Sequence, residues 1–535
     1  MPQLHNSIAA GYKIIHDANL QNLTEIIGCR LSNANKVLQT NLALATIIKP
    51  HILVGRQQAI NTLRIKTCEH WEYHFARIAE IESNILSFFQ DNGKDKDSLE
   101  NDAIAQLSFQ DELFRPLNHI PWMVFLIALF KIWVVPAMTL MTPILAWIVP
   151  YILLRFVYAF PINQQEYIRV LQNMWVGNMG IPNLNMSEPD MLTPRSIIQF
   201  ILFGFSFAQS MIQPIQNAMH LNKTDSVIVG IGKKLVEIRD IIRSMKSDIG
   251  DLDLKLTNLL EEIDPQDYRR GFMLIKEQPA RLQMALRDLA EVEVIWRLSL
   301  MKNLRSVIFK PNIFALSEMV DISLTNGVSS TLSLSSNTEQ HAIITGPNGG
   351  GKSSFLRATL QSVVLGHTYG VAPATQAIMP RFRWIASGLQ LRDTPGLYSM
   401  FETEVKFAAD CIQSSRSPGP GLILFDELFH STNPPDGARS ASVFLKQLWA
   451  PESNAYSVVS THVFPLVENK PDNVQAICCP ATNNEDGSVS YSYKAEPGIC
   501  RVSSVHMVWA KYGLRRGRES KVNLSTRRRN TPNAD

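Results

Sequence analysis

A chain of 535 residues is too long for one hydrophobic core and predicts about three domains. Its 45% apolar and 19% charged residues exclude an intrinsically disordered protein, and six scattered cysteines without a C-x-x-C pair exclude a zinc knuckle or a disulfide framework. The net charge of +3 is unevenly spread: residues 511–535 hold eight Lys/Arg against two acids, which reads as a solvated tail or as one that meets phosphate on nucleic acid or anionic lipid.

Residues 1–118 predict soluble helices. "LQTNLALATIIKPHILV" and "HFARIAEIESNILSFF" place apolar residues at helical spacing and carry no chemistry. The opening "MPQLHNSIAAGYKII" lacks a basic stretch followed by an apolar run, so no secretory signal is expected. Residues 119–160 change character. The run "IPWMVFLIALFKIWVVPAMTLMTPILAWIVPYILLRF" has Lys131 as its only charge before Arg155 and exceeds one bilayer span of roughly 20 residues. Trp122, Trp133, Trp147 and Tyr151 suit an interface belt, whereas Pro136, Pro143 and Pro150 argue against one straight helix. Two readings fit: a membrane hairpin of two short spans turning near Pro136, or two helices buried in a soluble core. "SIIQFILFGFSFAQSMI", residues 196–212, reads as a core helix, a membrane-surface helix or a third span.

Within 161–307, Ile228, Ile231, Leu235, Ile238, Ile242 and Met245 open a heptad seam that runs on through Ile249, Leu252, Leu256 and Leu259 to Ile263, before Pro265. Spacings alternating between three and four predict a coiled-coil arm or a plain bundle helix. "ARLQMALRDLAEVEVIWRLSLMKNL" supplies a second helix, and an antiparallel pair is the economical arrangement. From about residue 308 the texture becomes that of a parallel α/β sheet: "AIIT", "GLILFDE" and "YSVVSTH" are strand-like and helical stretches separate them.

"GPNGGGKS", residues 346–353, fits G-x-x-x-x-G-K-[ST] between a predicted strand and a predicted helix. Gly346, Pro347, Asn348, Gly349, Gly350 and Gly351 let backbone N–H groups curl around phosphate, and the helix start adds positive dipole. Lys352 is placed to neutralise the β and γ phosphates, Ser353 to offer its hydroxyl to Mg²⁺, and Ser354 to continue the grip. Four apolar residues, 422–425, then deliver Asp426 to the Mg²⁺ shell and Glu427 to the attacking water. His462, after a third strand, is placed to sense the γ-phosphate. ATP and Mg²⁺ are therefore the expected cofactors.

In order along residues 280–513, "ALRDLAEVEVIWRLSLM", "AIITGPNGGGKSS", "GVAPATQA", "YSMFETEVKFAADCI", "DELFHSTNPPDG", "STHVFPLV" and "YSYKAEPGICRVSSVHMVWAKYG" resemble the motifs of the MutS-type ATPase module, within the ABC class. The resemblance implies an α/β P-loop NTPase fold over 308–513; the periodicity before it reads as an all-α lever or coiled-coil region, and 514–535 as a basic, disordered tail. The resemblance also implies a composite site in a homodimer or heterodimer. Asn348 would lie near the phosphates, and Ser399, opening the helix that carries Glu404, would meet the γ-phosphate bound in the partner subunit. Two departures stand out. Phe429-His430-Ser431-Thr432 replaces the family's Gly-Arg-Gly-Thr, and the only Phe-x-Glu is Phe425-Asp426-Glu427, so no mismatch-reading wedge is identified.

The implied function is a DNA-dependent ATPase that binds duplex DNA as a dimer and couples ATP binding and hydrolysis to clamp movement, in mismatch repair or a related DNA transaction. The alternative is a membrane-anchored MutS-like ATPase that tethers or remodels. Either is expected to be intracellular, with the ATPase on the cytosolic or nuclear side. A membrane hairpin satisfies this by keeping both soluble flanks on the ATP-rich side. A transporter subunit fits poorly, because no Leu-Ser-Gly-Gly-Gln signature exists.

Overall fold

The computed structural model describes residues 8–66, 68–94, 99–175, 194–249, 262–392, 398–484, 488–505 and 509. The basic segment 511–535 and seam residues Leu252, Leu256 and Leu259 lie outside them. The helices are α1 (Ile8–Asp17), α2 (Leu23–Ile27), α3 (Ala34–Ala43), α4 (Pro50–Lys66), α5 (Trp71–Lys94), α6 (Leu99–Gln106), α7 (Met123–Leu129), α8 (Val135–Ile152), α9 (Gln164–Trp175), α10 (Pro194–Ile249), α11 (Tyr268–Glu277), α12 (Pro279–Leu300), α13 (Lys352–Tyr369), α14 (Met400–Ser415), α15 (Pro434–Leu448) and α16 (Phe464–Glu468). The strands are β1 (Arg305–Phe309), β2 (Ile313–Met319), β3 (Ser330–Ser335), β4 (His341–Thr345), β5 (Val371–Ala372), β6 (Gln376–Met379), β7 (Trp384–Gly388), β8 (Gly421–Phe425), β9 (Ala455–Ser460), β10 (Val474–Cys478), β11 (Ala481–Asn483), β12 (Val489–Tyr491) and β13 (Glu496–Pro497). The chain divides into two compact units: one of residues 1–68, 249–254 and 290–535, the other of residues 69–248 and 255–289.

The first unit is mixed α/β. Its main sheet runs β13-β10-β4-β9-β8-β7, with β10, β4, β9, β8 and β7 parallel. Every residue of β4, β7, β8 and β9 is buried, as expected of strands covered on both faces. That is why β4 and β8 carry consecutive rather than alternating apolar residues in the sequence. A second sheet, β3-β2-β6-β1-β5, mixes parallel and antiparallel pairs. The first helices belong to this unit. Ser387 at the end of edge strand β7 donates to Asp17 of α1 at 2.5 Å, and burial raises the Asp17 pKa. Arg56 and Gln57 of α4 donate to the carbonyls of Thr368 and Gly370 at 3.1 and 2.7 Å, satisfying the C-terminal end of α13.

The second unit is helical. The heptad positions that fall within α10 are buried from Ile228 through Leu235, Ile242 and Met245 to Ile249. Helix α5 is tied to that arm by a bidentate pair from Arg77 to Glu237 (2.5 and 3.0 Å) and by Trp71 Nε1 donating to Asp248 at 2.8 Å.

The structure corrects the expected hairpin in 119–160. The backbone is helical without interruption from 123 to 157, and no turn forms near Pro136. Proline removes a donor and crowds the carbonyl four residues earlier. Here a π-helical turn, Phe130–Val134, immediately precedes Pro136 and loosens the backbone at that point. Pro143 leaves the Thr139 carbonyl without its helical donor, and Thr142 Oγ1 donates to that oxygen at 2.6 Å. The alternative of two helices buried in a soluble core is corrected as well. No described side chain between 137 and 157 is buried.

Candidate functional site

Strand β4 lies between β10 and β9 in the parallel sheet and ends at Thr345. The chain then turns through 346–351 into α13. Gly346 has φ +149°, and a Cβ there would lie 3.0 Å from the Cys479 carbonyl oxygen, so only glycine fits without displacement. Gly351, at the N-cap of α13, has φ +105° and provides no side-chain cap. The first amides of α13 are thus left without an intrahelical or N-cap side-chain acceptor, as an anion-binding helix start requires. Gly350 N–H donates to the Pro347 carbonyl at 3.0 Å, closing the turn.

Lys352 is buried and folds back over this loop, its Nζ donating to the carbonyls of Gly346 at 3.0 Å and Pro347 at 3.2 Å. Burial pushes its pKa down, and the carboxylates of Glu427 and Asp426 oppose that shift. Ser353 Oγ donates to Asp426 Oδ2 at 2.6 Å. Two residues 73 positions apart, both expected in a Mg²⁺ shell, are therefore in contact. Strand β8 delivers Asp426 and Glu427, and the side chains around them anchor the pair. Phe425, Leu428 and Phe429 are buried in a cluster with Phe407 and Phe444, with Phe425 5.4 Å from Phe407 and 6.1 Å from Phe429, centroid to centroid.

Glu427 holds φ +52°, a left-handed conformation that a non-glycine side chain adopts only at a cost. His462 Nε2 donates to Glu427 Oε1 at 3.2 Å. That bond, aided by the nearby charges of His462 and Lys352, holds the Glu427 carboxyl below the ordinary range against the opposing effect of burial. Ser460, which sequence reasoning missed, joins the two carboxylate residues. It donates to Asp426 Oδ1 at 2.5 Å and accepts from the Glu427 backbone N–H at 2.7 Å. Its only signal in the sequence is its place just before Thr461-His462 at the end of a strand-like run.

A cavity of ≈ 450 Å³ opens over the loop, lined by Asn348, Gly349, Gly351, Lys352, Ser353, Ser354 and Glu427. Its other wall was not foreseen: Leu324 and Val328 from the β2–β3 connection, with Tyr493. Asp321 secures that connection. It is buried, accepts from Arg357 Nε at 2.6 Å and from Gln361 Nε2 at 2.9 Å, and both donors lie on α13. Ser399 does not line this cavity. It is the N-cap of α14, its Oγ accepting from the Glu402 N–H at 3.2 Å in a reciprocal capping box. The variant loop 429–432 is bonded within the chain. Ser431 Oγ donates to the fully buried Glu404 at 2.5 Å, and His430 Nδ1 lies 3.0 Å from both Glu404 Oε1 and the Glu427 carbonyl oxygen.

The donor set fits a nucleoside triphosphate with a hard divalent cation: backbone amides and a lysine for phosphate, a hydroxyl and a carboxylate for the metal. Among the described residues no group of three His, Cys, Asp or Glu could hold a metal by itself.

Residues 342–514 match the family model described as MutS domain V. The chain is 28% identical over 237 residues to a DNA mismatch repair protein MutS of Leuconostoc mesenteroides, covering 42% of this chain and 27% of that protein. It is 30% identical over 164 residues to the mitochondrial DNA mismatch repair protein MSH1 of Arabidopsis thaliana, covering 30% and 14%. It is 24% identical over 284 residues to a MutS of Bacillus cereus, covering 52% and 30%. The chain thus aligns with under a third of each of these relatives, and the similarity to the MutS family rests on residues 342–514 and the aligned part around them.

Proposed function

We propose that this chain is an ATP hydrolase that engages duplex DNA as a dimer and couples nucleotide binding and turnover to movement of its helical arm, in mismatch repair or a related DNA transaction. The observation that carries the reading is the convergence of Lys352, the Ser353–Asp426 contact and the Glu427–His462 pair at one loop. Bound Mg²⁺ would supply charge neutralisation on the phosphates. The chain's own residues do the rest. The amides of 349–353 and Lys352 hold the phosphates, and Lys352 exchanges its two loop carbonyls for phosphate oxygens. Ser353 and Asp426 present oxygens to the cation. Ser460 holds Asp426 and the Glu427 backbone in register. Glu427, kept ionised by His462, orients a water and takes its proton at Oε. The DNA partner is carried over from the named mismatch repair relatives, and the dimer from the resemblance to the MutS-type ATPase module. Ser399 at a helix start is available to a phosphate bound in the partner subunit.

The test is steady-state ATP turnover by the full chain without DNA, with homoduplex and with mismatched duplex, each at two salt concentrations. Turnover that either duplex stimulates, with a salt-sensitive effect, supports the reading. Equal stimulation by both removes mismatch selectivity. Turnover indifferent to all DNA overturns the DNA coupling, and no turnover under any condition overturns the hydrolase.

A further inference from the structure

The helical unit carries an apolar surface that its own fold does not cover. Residues 123–157 form one helix roughly 50 Å long at about 1.5 Å per residue, and Met123–Leu145 is long and apolar enough to cross a bilayer with only 22% of its most apolar window buried. Exposure is not confined to a stripe. Ile144, Leu145, Ile148, Val149, Ile152 and Leu153 are all exposed, and these consecutive pairs, with Trp133 and Met138, cover more than half the circumference. Residues 132–154 contain no charge, and Lys131 and Arg155 flank them. That stretch spans about 35 Å, close to the hydrocarbon thickness of a bilayer. Arg155 donates to the Tyr151 hydroxyl at 2.7 Å, a basic side chain folded along an aromatic one at the end of an apolar span.

The first part of α10 repeats the pattern. From 196 to 220 the sequence has no Asp, Glu, Lys or Arg, and no described side chain from 198 to 220 is buried. Ile201, Leu202 and Phe205 are among the most exposed apolar residues. At Leu221 the same helix becomes amphipathic, with Leu221, Ile228 and Ile231 buried. The two apolar segments start from one point. Asp267, the N-cap of α11, accepts from the Trp122 N–H at 2.8 Å, where the outgoing helix begins. Two residues on, Arg269 makes a bidentate pair with Asp225 of α10 at 2.7 and 2.6 Å, and its guanidinium lies 5.2 Å from the Phe125 ring. The outgoing helix and the returning one are thus rooted on neighbouring residues of α11.

We propose that a lipid bilayer is the partner of this surface, and that the chain crosses it twice, outward through 123–157 and back through 194–220. A protein groove or a second copy of the chain would cover one face of each helix. Apolar exposure around most of each helix, over the depth of a bilayer and between charged ends, is what lipid requires. The common root places the polypeptide before 122 and after 221 on one side and the residues around Gln164 on the other. The inference holds whether or not the nucleotide site turns over ATP.

The full chain would be mixed with vesicles of phosphatidylcholine and phosphatidylglycerol and floated on a density gradient, then washed with alkaline carbonate. It is expected to float and to resist the wash. Leu145→Glu with Ile148→Glu, and separately Ile201→Glu with Phe205→Glu, are each expected to cut the floated fraction about tenfold or more while nucleotide binding is kept, which reports a folded protein. Gln164→Cys is expected to be shielded from an impermeant maleimide in sealed vesicles and labelled once detergent is added. A chain that stays unbound and runs as a discrete oligomer without detergent would make the surface an interface between copies and overturn the proposal. Loss of flotation from the first pair only, with Gln164→Cys labelled in intact vesicles, would overturn the second span.

Discussion

Two regions of this chain share a composition and differ in where it is placed. In β4, β8 and β9 the apolar runs are buried to the last residue and end in polar groups: Thr345, Asp426-Glu427 and Ser460. In 137–157 and 198–220 no described side chain of the comparable runs is buried. An apolar run therefore announces burial without saying in what. For the strands, elements packed on both faces of the sheet bury the run, so the residue where it stops reaches the C-terminal end of the strand and becomes usable chemistry. For the helices, the fold leaves the described apolar side chains uncovered, and the bilayer proposal puts the site of burial outside the polypeptide.

The largest test of the buried side acts on the groups the strands present. Glu427→Gln removes the proposed base while leaving its backbone in place. It is expected to lower kcat by about 10² to 10⁴, the usual worth of general base catalysis, with nucleotide binding retained. Lys352→Ala removes the only buried cation over the loop among the described residues and is expected to weaken nucleotide binding by about 10² or more, measured by equilibrium titration with a fluorescent ATP analogue. If both variants turn over like the parent chain, the polar ends of the strands are not a site, and the contrast with the helices loses its functional half.

The same truncation in both regions sharpens the contrast directly. Leu424→Ala empties a position in β8 that is 0% exposed and is expected to cost about 2–5 kcal/mol. Ile148→Ala, at a position 46% exposed, is expected to cost under about 0.5 kcal/mol in the absence of lipid. Denaturant titration of the two variants decides between them. A large loss for Ile148→Ala would mean that the polypeptide itself already covers that helix.

The same physics explains how much was legible beforehand. The glycine turn after β4, the strand before Asp426 and the strand before His462 were readable because fully buried parallel strands are rich in apolar residues and glycine marks tight backbone turns. The second sheet was not: β2 and β3 alternate buried with less buried residues and β1 has one buried residue, a weak signal in strands of five to seven residues. Ser460 was missed because a lone serine has no periodicity, although its two hydrogen bonds join the carboxylate residues. The turn expected at Pro136 failed because proline's missing donor and ring clash were weighed without the π-helical turn that absorbs them. The far wall of the cavity formed by Leu324 and Val328 depends on side chains of α13 holding a loop through Asp321, and no local pattern encodes that.

Ser460 allows a smaller test. It is buried and serves Asp426 and Glu427 together, so Ser460→Ala leaves one carboxylate oxygen and one backbone N–H without their partner. Unpaired groups of this kind cost about 1–3 kcal/mol. The effect is expected in kcat rather than in nucleotide affinity, because Lys352 and the loop amides are untouched. A change in affinity alone would mean that Ser460 serves the fold of the loop and not the carboxylates.

The smallest expected effect is on pH dependence. His462 is the largest cause of the lowered Glu427 pKa, burial opposes it, and the Lys352 charge adds a lesser lowering. Glu427 therefore stays ionised, and able to accept a proton, to a pH below the ordinary glutamate range. In His462→Ala the main lowering cause is gone while the opposing burial remains, so the acid limb of kcat moves to higher pH. Stability follows the same sign. A depressed carboxyl pKa contributes stability above its unfolded value and loses it as pH falls through the folded value, so the variant forfeits that contribution. His462→Gln, which keeps an N–H donor, is expected to return the limb part of the way. A limb that is the same in all three proteins would separate His462 from Glu427 and leave the histidine to contact phosphate alone.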